Sequence, residues 1–131
     1  MPTGVDSERQ LTDQGRQQIS EISQTLKQVD LVVVSPYIRA QQTADIFLEH
    51  TEVGHRKDSG TLVPDASINE VMSWLEEVDS QSVLLVSHNP LVTELTGWLT
   101  GDNMIHFGTG SLVCLEGDYF GPECLSVSWV K

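Results

Sequence analysis

The chain has 131 residues, 39% of them hydrophobic and 20% charged, which is ordinary for one globular domain with a buried core. Its net charge of −12 argues against nucleic-acid and anionic-membrane partners, because a basic surface binds both. The sequence shows no apolar segment typical of a secretory signal or a membrane span, and Cys114 and Cys124 form neither a disulfide framework nor a metal-type cluster, so we expect a soluble cytoplasmic protein.

The first part of the chain predicts two helices around a buried strand. Thr12 is expected to cap the first helix, whose apolar residues recur at helical spacing. The run Leu31 to Ser35 is short and β-branched, which favours a strand covered on both faces. Ser35 as cap and Pro36 in the first turn then start a second helix that ends near His50. The apolar face of the first helix is predicted to comprise Ile19, Ile22, Leu26 and Val29.

The remaining elements are predicted from the same signals. Residues 51–60 are polar and predict a loop, and residues 61–63 before a proline predict a short edge strand. Ser67 begins a helix through a capping box, residues 82–87 form a second strand buried on both faces, and Asn89 with Pro90 caps a helix that ends at Gly101. Two alternating segments near the C-terminus predict an antiparallel hairpin that closes the sheet.

Strands that alternate with helices predict the fold class. We expect one α/β domain over residues 1–131, with a three-layer, mostly parallel sheet, helices on both faces and a C-terminal antiparallel hairpin. Ligands bind beyond the carboxyl ends of such strands, and Arg39 and His88 follow two of them. An arginine offers a planar fork for phosphate oxygens, and a histidine can donate hydrogen bonds or transfer protons.

Four segments carry a resemblance to a known family: VVVSPYIRAQQTA at residues 32–44, LLVSHNP at 84–90, ERQLTDQG at 8–15 and HFGTGSLVCLE at 106–116. Together they resemble the histidine phosphatase superfamily, which includes the phosphoglycerate mutases and acid phosphatases. Within that superfamily the chain is similar to the small bacterial phosphohistidine phosphatases of the SixA type. The resemblance covers nearly the whole chain.

The resemblance implies a mechanism without metal or cofactor. In the family, a histidine attacks the phosphoryl group to form a phosphohistidine intermediate, which water then hydrolyses, while two arginines and a second histidine hold the phosphoryl oxygens. Arg39 matches the second arginine and His88 the second histidine, so both are expected to be catalytic and phosphate-binding. Arg9 resembles an additional phosphate-binding arginine. Because residues 43–61 leave no room for the lid of larger members, the resemblance implies a phosphorylated protein as partner, such as a phosphotransfer domain.

One motif of the family is not found in the sequence. The family nucleophile lies in an Arg-His-Gly triplet at the end of a central N-terminal strand, and none of the four histidines here follows an arginine. His55 and Arg56 reverse the order and lie in the predicted loop, so they are not expected to replace the triplet. In the family that strand runs between strands such as LVVV and VLLV. Without it we expect a shifted sheet, a strand supplied by a partner chain or partial unfolding, and no turnover.

Three interpretations follow. The first is a phosphohistidine phosphatase whose N-terminal strand is missing from this sequence through a downstream start or a shortened chain. The second is a pseudophosphatase that binds phosphoprotein without turnover. The third is a different hydrolase with Ser35, Ser87 or Cys114 as nucleophile, although none of them lies in a Gly-x-Ser-x-Gly elbow or a Cys-x5-Arg loop. The coding sequence upstream of Met1 distinguishes the first two.

Overall fold

The computed structural model describes residues 6–102, 105, 107, 108 and 110–131. A short 3₁₀ turn, Asp6–Glu8, precedes the first helix. The helices are α1 Asp13–Ser23, α2 Ile38–His50, α3 Ile68–Leu75 and α4 Leu91–Thr100. The strands are β1 Gln28–Val34, β2 Glu52–Asp58, β3 Val83–Val86, β4 Val113–Glu116 and β5 Ser126–Val130.

Three parallel strands form the main sheet in the order β2-β1-β3. β1 lies in the middle, with Leu31 opposite His55 of β2 on one side and opposite Val83 of β3 on the other. β4 and β5 pair with each other in an antiparallel hairpin that forms a sheet of its own. The predicted hairpin is therefore confirmed, but it does not close the main sheet through hydrogen bonds.

Helices cover both faces of the sheet. Because successive side chains of a strand point to opposite faces, Val32 and Val34 of β1 pack with α2, whereas Leu31 and Val33 pack with α3 and α4. α1 packs on α2 through Ile19. This is the predicted three-layer α/β arrangement. None of the helices among the described residues is long and apolar enough to cross a membrane.

Local signals at three of the helix ends are confirmed. The Thr12 hydroxyl accepts a hydrogen bond from the Gly15 N–H at 3.0 Å and caps α1. The Ser67 hydroxyl accepts from the Glu70 N–H at 3.3 Å and caps α3. Gly101 ends α4 with φ +77°, a backbone conformation that glycine adopts without steric cost.

Several predicted boundaries are wrong. α1 ends at Ser23, so Leu26 and Val29 lie outside it, and Val29 belongs to β1. Most of the predicted polar loop is the edge strand β2, which pairs with β1 through its backbone, and His55 with Arg56 lies on that strand. Residues 61–63, predicted as an edge strand, form no strand. Leu62 is instead fully buried in the core between the sheet and α3.

β3 differs from its predicted burial, and its pairing differs from the position that the resemblance gives to the family's N-terminal strand. β1 and β3 pair directly from Leu31 opposite Val83 to Val34 opposite Val86, so no strand lies between them. β3 is also not buried throughout, since only Val86 of its four residues is buried. Among the described residues, β3 pairs with β1 alone and β4 with β5 alone. β3 therefore has an open edge on the side that faces away from β1.

Candidate active site

Arg39 and His88 are positioned by two neighbouring parallel strands. β1 ends at Val34 and, after a three-residue turn, α2 begins with Arg39 as its second residue. β3 ends at Val86, and His88 lies in the turn that leads to α4, just before the cis peptide bond between Asn89 and Pro90. Since Val34 is opposite Val86, the two turns leave the sheet side by side.

Tyr37 and Ser35 connect the two turns. The Nε2 atom of His88 lies 2.8 Å from the Ser35 hydroxyl oxygen. The rings of His88 and Tyr37 are 4.8 Å apart between centroids and inclined by 49°. The guanidinium carbon of Arg39 lies 6.0 Å from the centroid of the Tyr37 ring, within the range of a cation–π contact. Tyr37 therefore contacts both residues that the sequence singled out.

A cavity of about 780 Å³ opens beside these turns. Arg9, Arg39 and His88 all line it, so the structure brings the three predicted site residues to one place. None of the described residues that line it is acidic, although the chain has 19 Asp and Glu residues against seven Lys and Arg. The cavity is thus a locally cationic site in a strongly anionic protein, a distribution that favours an anionic ligand.

The helix starts lack the caps that the sequence predicted. The hydroxyl of Ser35 accepts the Tyr37 N–H at 3.3 Å, before α2 begins, and Tyr37 at the N-cap makes no side-chain cap. The Asn89 side chain accepts from the Thr93 hydroxyl at 2.6 Å and donates to the Phe107 carbonyl at 3.0 Å, rather than capping α4. The N-cap side chains therefore cap neither helix, and in the first turn of α4 the Val92 N–H donates instead to the His88 carbonyl at 3.0 Å.

A second, smaller cavity of about 180 Å³ lies between β3 and β4. Its lining is mainly apolar and includes Val83 and Leu85 of β3 and Val113 and Leu115 of β4. Leu84 and Leu112 line both cavities, so the two spaces adjoin along the open edge of β3. An apolar gap bounded by two strands that do not pair with each other continues directly into the cationic site.

The alternative nucleophiles do not form a hydrolase site. Ser35 contacts His88 as a serine nucleophile would, but its side chain is fully buried, so no substrate reaches it. The Ser87 hydroxyl donates to the Leu62 carbonyl at 2.7 Å. Burial, and then the charge of Glu116, raise the pKa of the Cys114 thiol, which is the opposite of what activates a cysteine. Within the described residues, no cluster of three or more His, Cys, Asp or Glu side chains suits a metal ion.

Sequence reasoning missed the role of Tyr37 and considered Ser35 only as a cap or a nucleophile. Tyr37 lies between Ser35 and Arg39 in the motif, and an aromatic residue two positions before Arg39 was the available signal. Its contact with His88 depends on the pairing of β1 with β3, which no local pattern reveals.

Comparisons with known proteins agree with this geometry. Residues 3–61 match the model of the histidine phosphatase superfamily (branch 1). The chain is 32% identical over 145 residues to the phosphohistidine phosphatase SixA homolog of Haemophilus influenzae, covering 92% of this chain and 83% of that protein. It is 33% identical over 93 residues to an uncharacterized protein of Picosynechococcus, covering 65% of this chain and 56%, little more than half, of that relative. Its fold superposes on the protein histidine phosphatase SixA complexed with tungstate, with a TM-score of 0.82, 25% identity, and coverage of 99% of this chain and 88% of the other.

Proposed function

Since the chain belongs to the histidine phosphatase superfamily, we propose that these residues form the phosphate-binding half of a phosphohistidine phosphatase of the SixA type. The observation that carries this proposal is the cavity in which Arg9, Arg39 and His88 meet without any carboxylate among its described lining residues. The chain is anionic overall, so this placement of cations favours an anionic group, and the planar fork of arginine suits the oxygens of a phosphoryl group. The complex of the SixA protein with tungstate, an oxyanion of the same shape as phosphate, supports the same reading.

Each residue has a chemical role in this proposal. Arg39 grips two phosphoryl oxygens with its planar fork, and His88 donates a hydrogen bond to a third oxygen as charge builds in the transition state. Arg9 is exposed at the mouth of the cavity and adds positive charge there. In the reaction, a histidine nitrogen bonds to phosphorus while the P–N bond of the substrate breaks and its imidazole takes up a proton. Water then cleaves the enzyme phosphohistidine and releases orthophosphate.

Among the described residues that line the cavity His88 is the one histidine, and in this proposal the attacking histidine lies elsewhere. We place it on an extra strand in the apolar gap between β3 and β4. A strand that runs parallel to β3 there ends at the same edge of the sheet as β3, next to His88. Such a strand comes from sequence outside these 131 residues or from another chain. In this proposal, the substrate of the complete site is a phosphohistidine side chain on a cytoplasmic phosphotransfer protein.

A second candidate is binding of the phosphoprotein without turnover. It is favoured by one observation, that the cationic cavity is assembled although the sequence contains no Arg-His-Gly triplet. Removing the nucleophile from such a concerted site takes away most of the rate enhancement but leaves phosphate binding in place.

The deciding experiment measures phosphate release from a phosphohistidine protein. The 131-residue chain is compared with the same chain fused, ahead of Met1, to an apolar strand that ends in Arg-His-Gly, and with a matched fusion that ends in Arg-Gln-Gly. We expect turnover from the first fusion alone. Turnover by the unextended chain would show that its nucleophile is already present, and phosphoprotein binding without turnover in all three would favour the pseudophosphatase.

A further inference from the structure

The hydrogen bond between Ser35 and His88 has an assignable direction. Ser35 is fully buried, so its hydroxyl proton needs an acceptor inside the protein. The Ser35 oxygen already accepts the Tyr37 N–H at 3.3 Å, and the acceptor that its proton reaches is Nε2 of His88 at 2.8 Å. If His88 donated instead, the oxygen would accept twice and the buried proton would be left without a partner, at a cost of about 1–3 kcal/mol.

This direction fixes the tautomer of the neutral imidazole. A ring nitrogen that accepts a hydrogen bond carries no proton, so the proton of neutral His88 lies on Nδ1. Nδ1 of neutral His88 is therefore a hydrogen-bond donor, and a phosphoryl oxygen requires a donor. The Tyr37 ring, inclined at 49° to the imidazole, restricts rotation of His88 away from Ser35.

We propose that Ser35 and Tyr37 are positioning residues for His88: Ser35 fixes neutral His88 as the Nδ1–H tautomer, and Tyr37 holds the ring in place and contacts Arg39. The value of this arrangement for phosphate binding rests on the proposed function. The tautomer itself is a property of the protein without any ligand, so the two can fail separately.

The test is two-bond ¹H–¹⁵N correlation of histidine-labelled protein at a pH where His88 is neutral, with a His88→Gln variant to assign its signals. We expect the Nδ1–H pattern in the wild type, and a shift toward the Nε2–H form in Ser35→Ala. Ser35→Thr keeps a hydroxyl and should restore the Nδ1–H pattern. Ser87→Ala is the matched control, because its hydroxyl donates to Leu62 and not to His88.

Three results overturn the proposal for Ser35: an Nε2–H pattern in the wild type, an unchanged tautomer in Ser35→Ala, or an equal shift in Ser87→Ala. Should Ser35→Ala fail to fold, the wild-type pattern and that of Ser35→Thr still decide. For Tyr37, we expect Tyr37→Phe to leave the His88 ring signals unchanged and Tyr37→Leu to shift or broaden them. Equal behaviour of these two variants overturns the role of Tyr37.

Tungstate titration separates this inference from the proposed function. We expect Ser35→Ala to weaken tungstate binding by about two- to tenfold, the effect of one lost hydrogen bond. If neither the wild type nor any variant binds tungstate while the tautomer changes as expected, the proposed function fails and the positioning of His88 stands. If the wild type binds tungstate with His88 in the Nε2–H form, the positioning role fails and the phosphate site stands.

Discussion

An added strand at the open edge of β3 should stabilise the protein by an amount that the structure allows us to estimate. The Leu31 N–H donates to the Ser82 carbonyl at 3.1 Å, and the Ser35 N–H donates to the Val86 carbonyl at 2.9 Å. Since successive residues of a strand direct their backbone groups to opposite edges, Val83 and Leu85 direct theirs away from β1. The two N–H and two C=O groups of these residues are the ones that an added strand would pair.

The expected gain follows from those four groups. Each hydrogen bond contributes about 0.5–1.5 kcal/mol net, so pairing this edge is worth about 2–6 kcal/mol before any apolar burial is counted. That is a large share of the roughly 5–15 kcal/mol that stabilises an ordinary domain. The chain without the strand should therefore be less stable than other domains of its length.

Urea unfolding of the strand fusion beside the unextended chain measures this difference, with tryptophan fluorescence as the signal. The unfolding midpoint and the m-value should both rise, because the fusion buries more surface. A matched fusion with proline at alternate strand positions removes the N–H donors and should give little stabilisation. Equal stabilisation by the two fusions would show that the strand does not pair with the edge of β3 and would refute this reasoning.

Three further predictions concern single side chains. Arg39→Ala should abolish phosphate and tungstate binding measured by calorimetry, and Arg39→Lys should weaken it, because an ammonium lacks the planar fork. Arg56→Ala is the control and should bind as wild type, since the Arg56 guanidinium pairs with Asp45 at 2.7 Å on the β2 side. Thr12→Ala should lower the free energy of unfolding by about 0.5–2 kcal/mol through loss of the α1 cap, whereas a serine at that position should not. Glu116→Gln should speed alkylation of Cys114, measured at fixed pH in a Cys124→Ser background. Burial and then the Glu116 charge raise the pKa of the Cys114 thiol, so removing that charge increases the thiolate fraction. An unchanged alkylation rate would contradict this.

Three helix ends could be predicted from signals that act within one turn of a helix, whereas the caps expected from Ser35 and Asn89 are not formed. Thr12, Ser67 and Gly101 each satisfy or release backbone groups a few residues away, so their residue type alone predicts the helix ends. The buried strand β1 was also predicted from its own residues, since a short run of valines is typical of a strand covered on both faces.

β2 was missed because its stability is not encoded in its own side chains. Apart from Val53 and Arg56, which are half-buried, its residues lie mostly exposed at the edge of the sheet. What makes it a strand is the backbone ladder from Gln28 opposite Glu52 to Val34 opposite Asp58. A polar segment at an edge carries charges that discourage further pairing, and those charges are what made it look like a loop.

The open edge of β3 could not be located from the sequence. Without the family's N-terminal strand the sequence predicts a shifted sheet, a strand supplied by a partner chain or partial unfolding, but not which strand keeps an open edge. Two apolar four-residue segments, LVVV and VLLV, pair with each other in the structure, because direct pairing satisfies the backbone of both along one edge. The backbone groups of β3 that pair with no described strand therefore lie on its outer edge, which borders the apolar gap against β4.

Because of the register of β1 against β3, phosphate binding should not depend on whether another strand occupies the open edge of β3. Val34 is opposite Val86, which sets Ser35 within 2.8 Å of His88 beyond the ends of the two strands. A slip of two residues would move one strand by about 6.6 Å and break that contact. This pairing lies on the side of β3 that faces β1, so it does not depend on what fills the other side. Oxyanion binding by Arg39 and His88 should therefore survive in the unextended chain, while stability and turnover respond to the added strand.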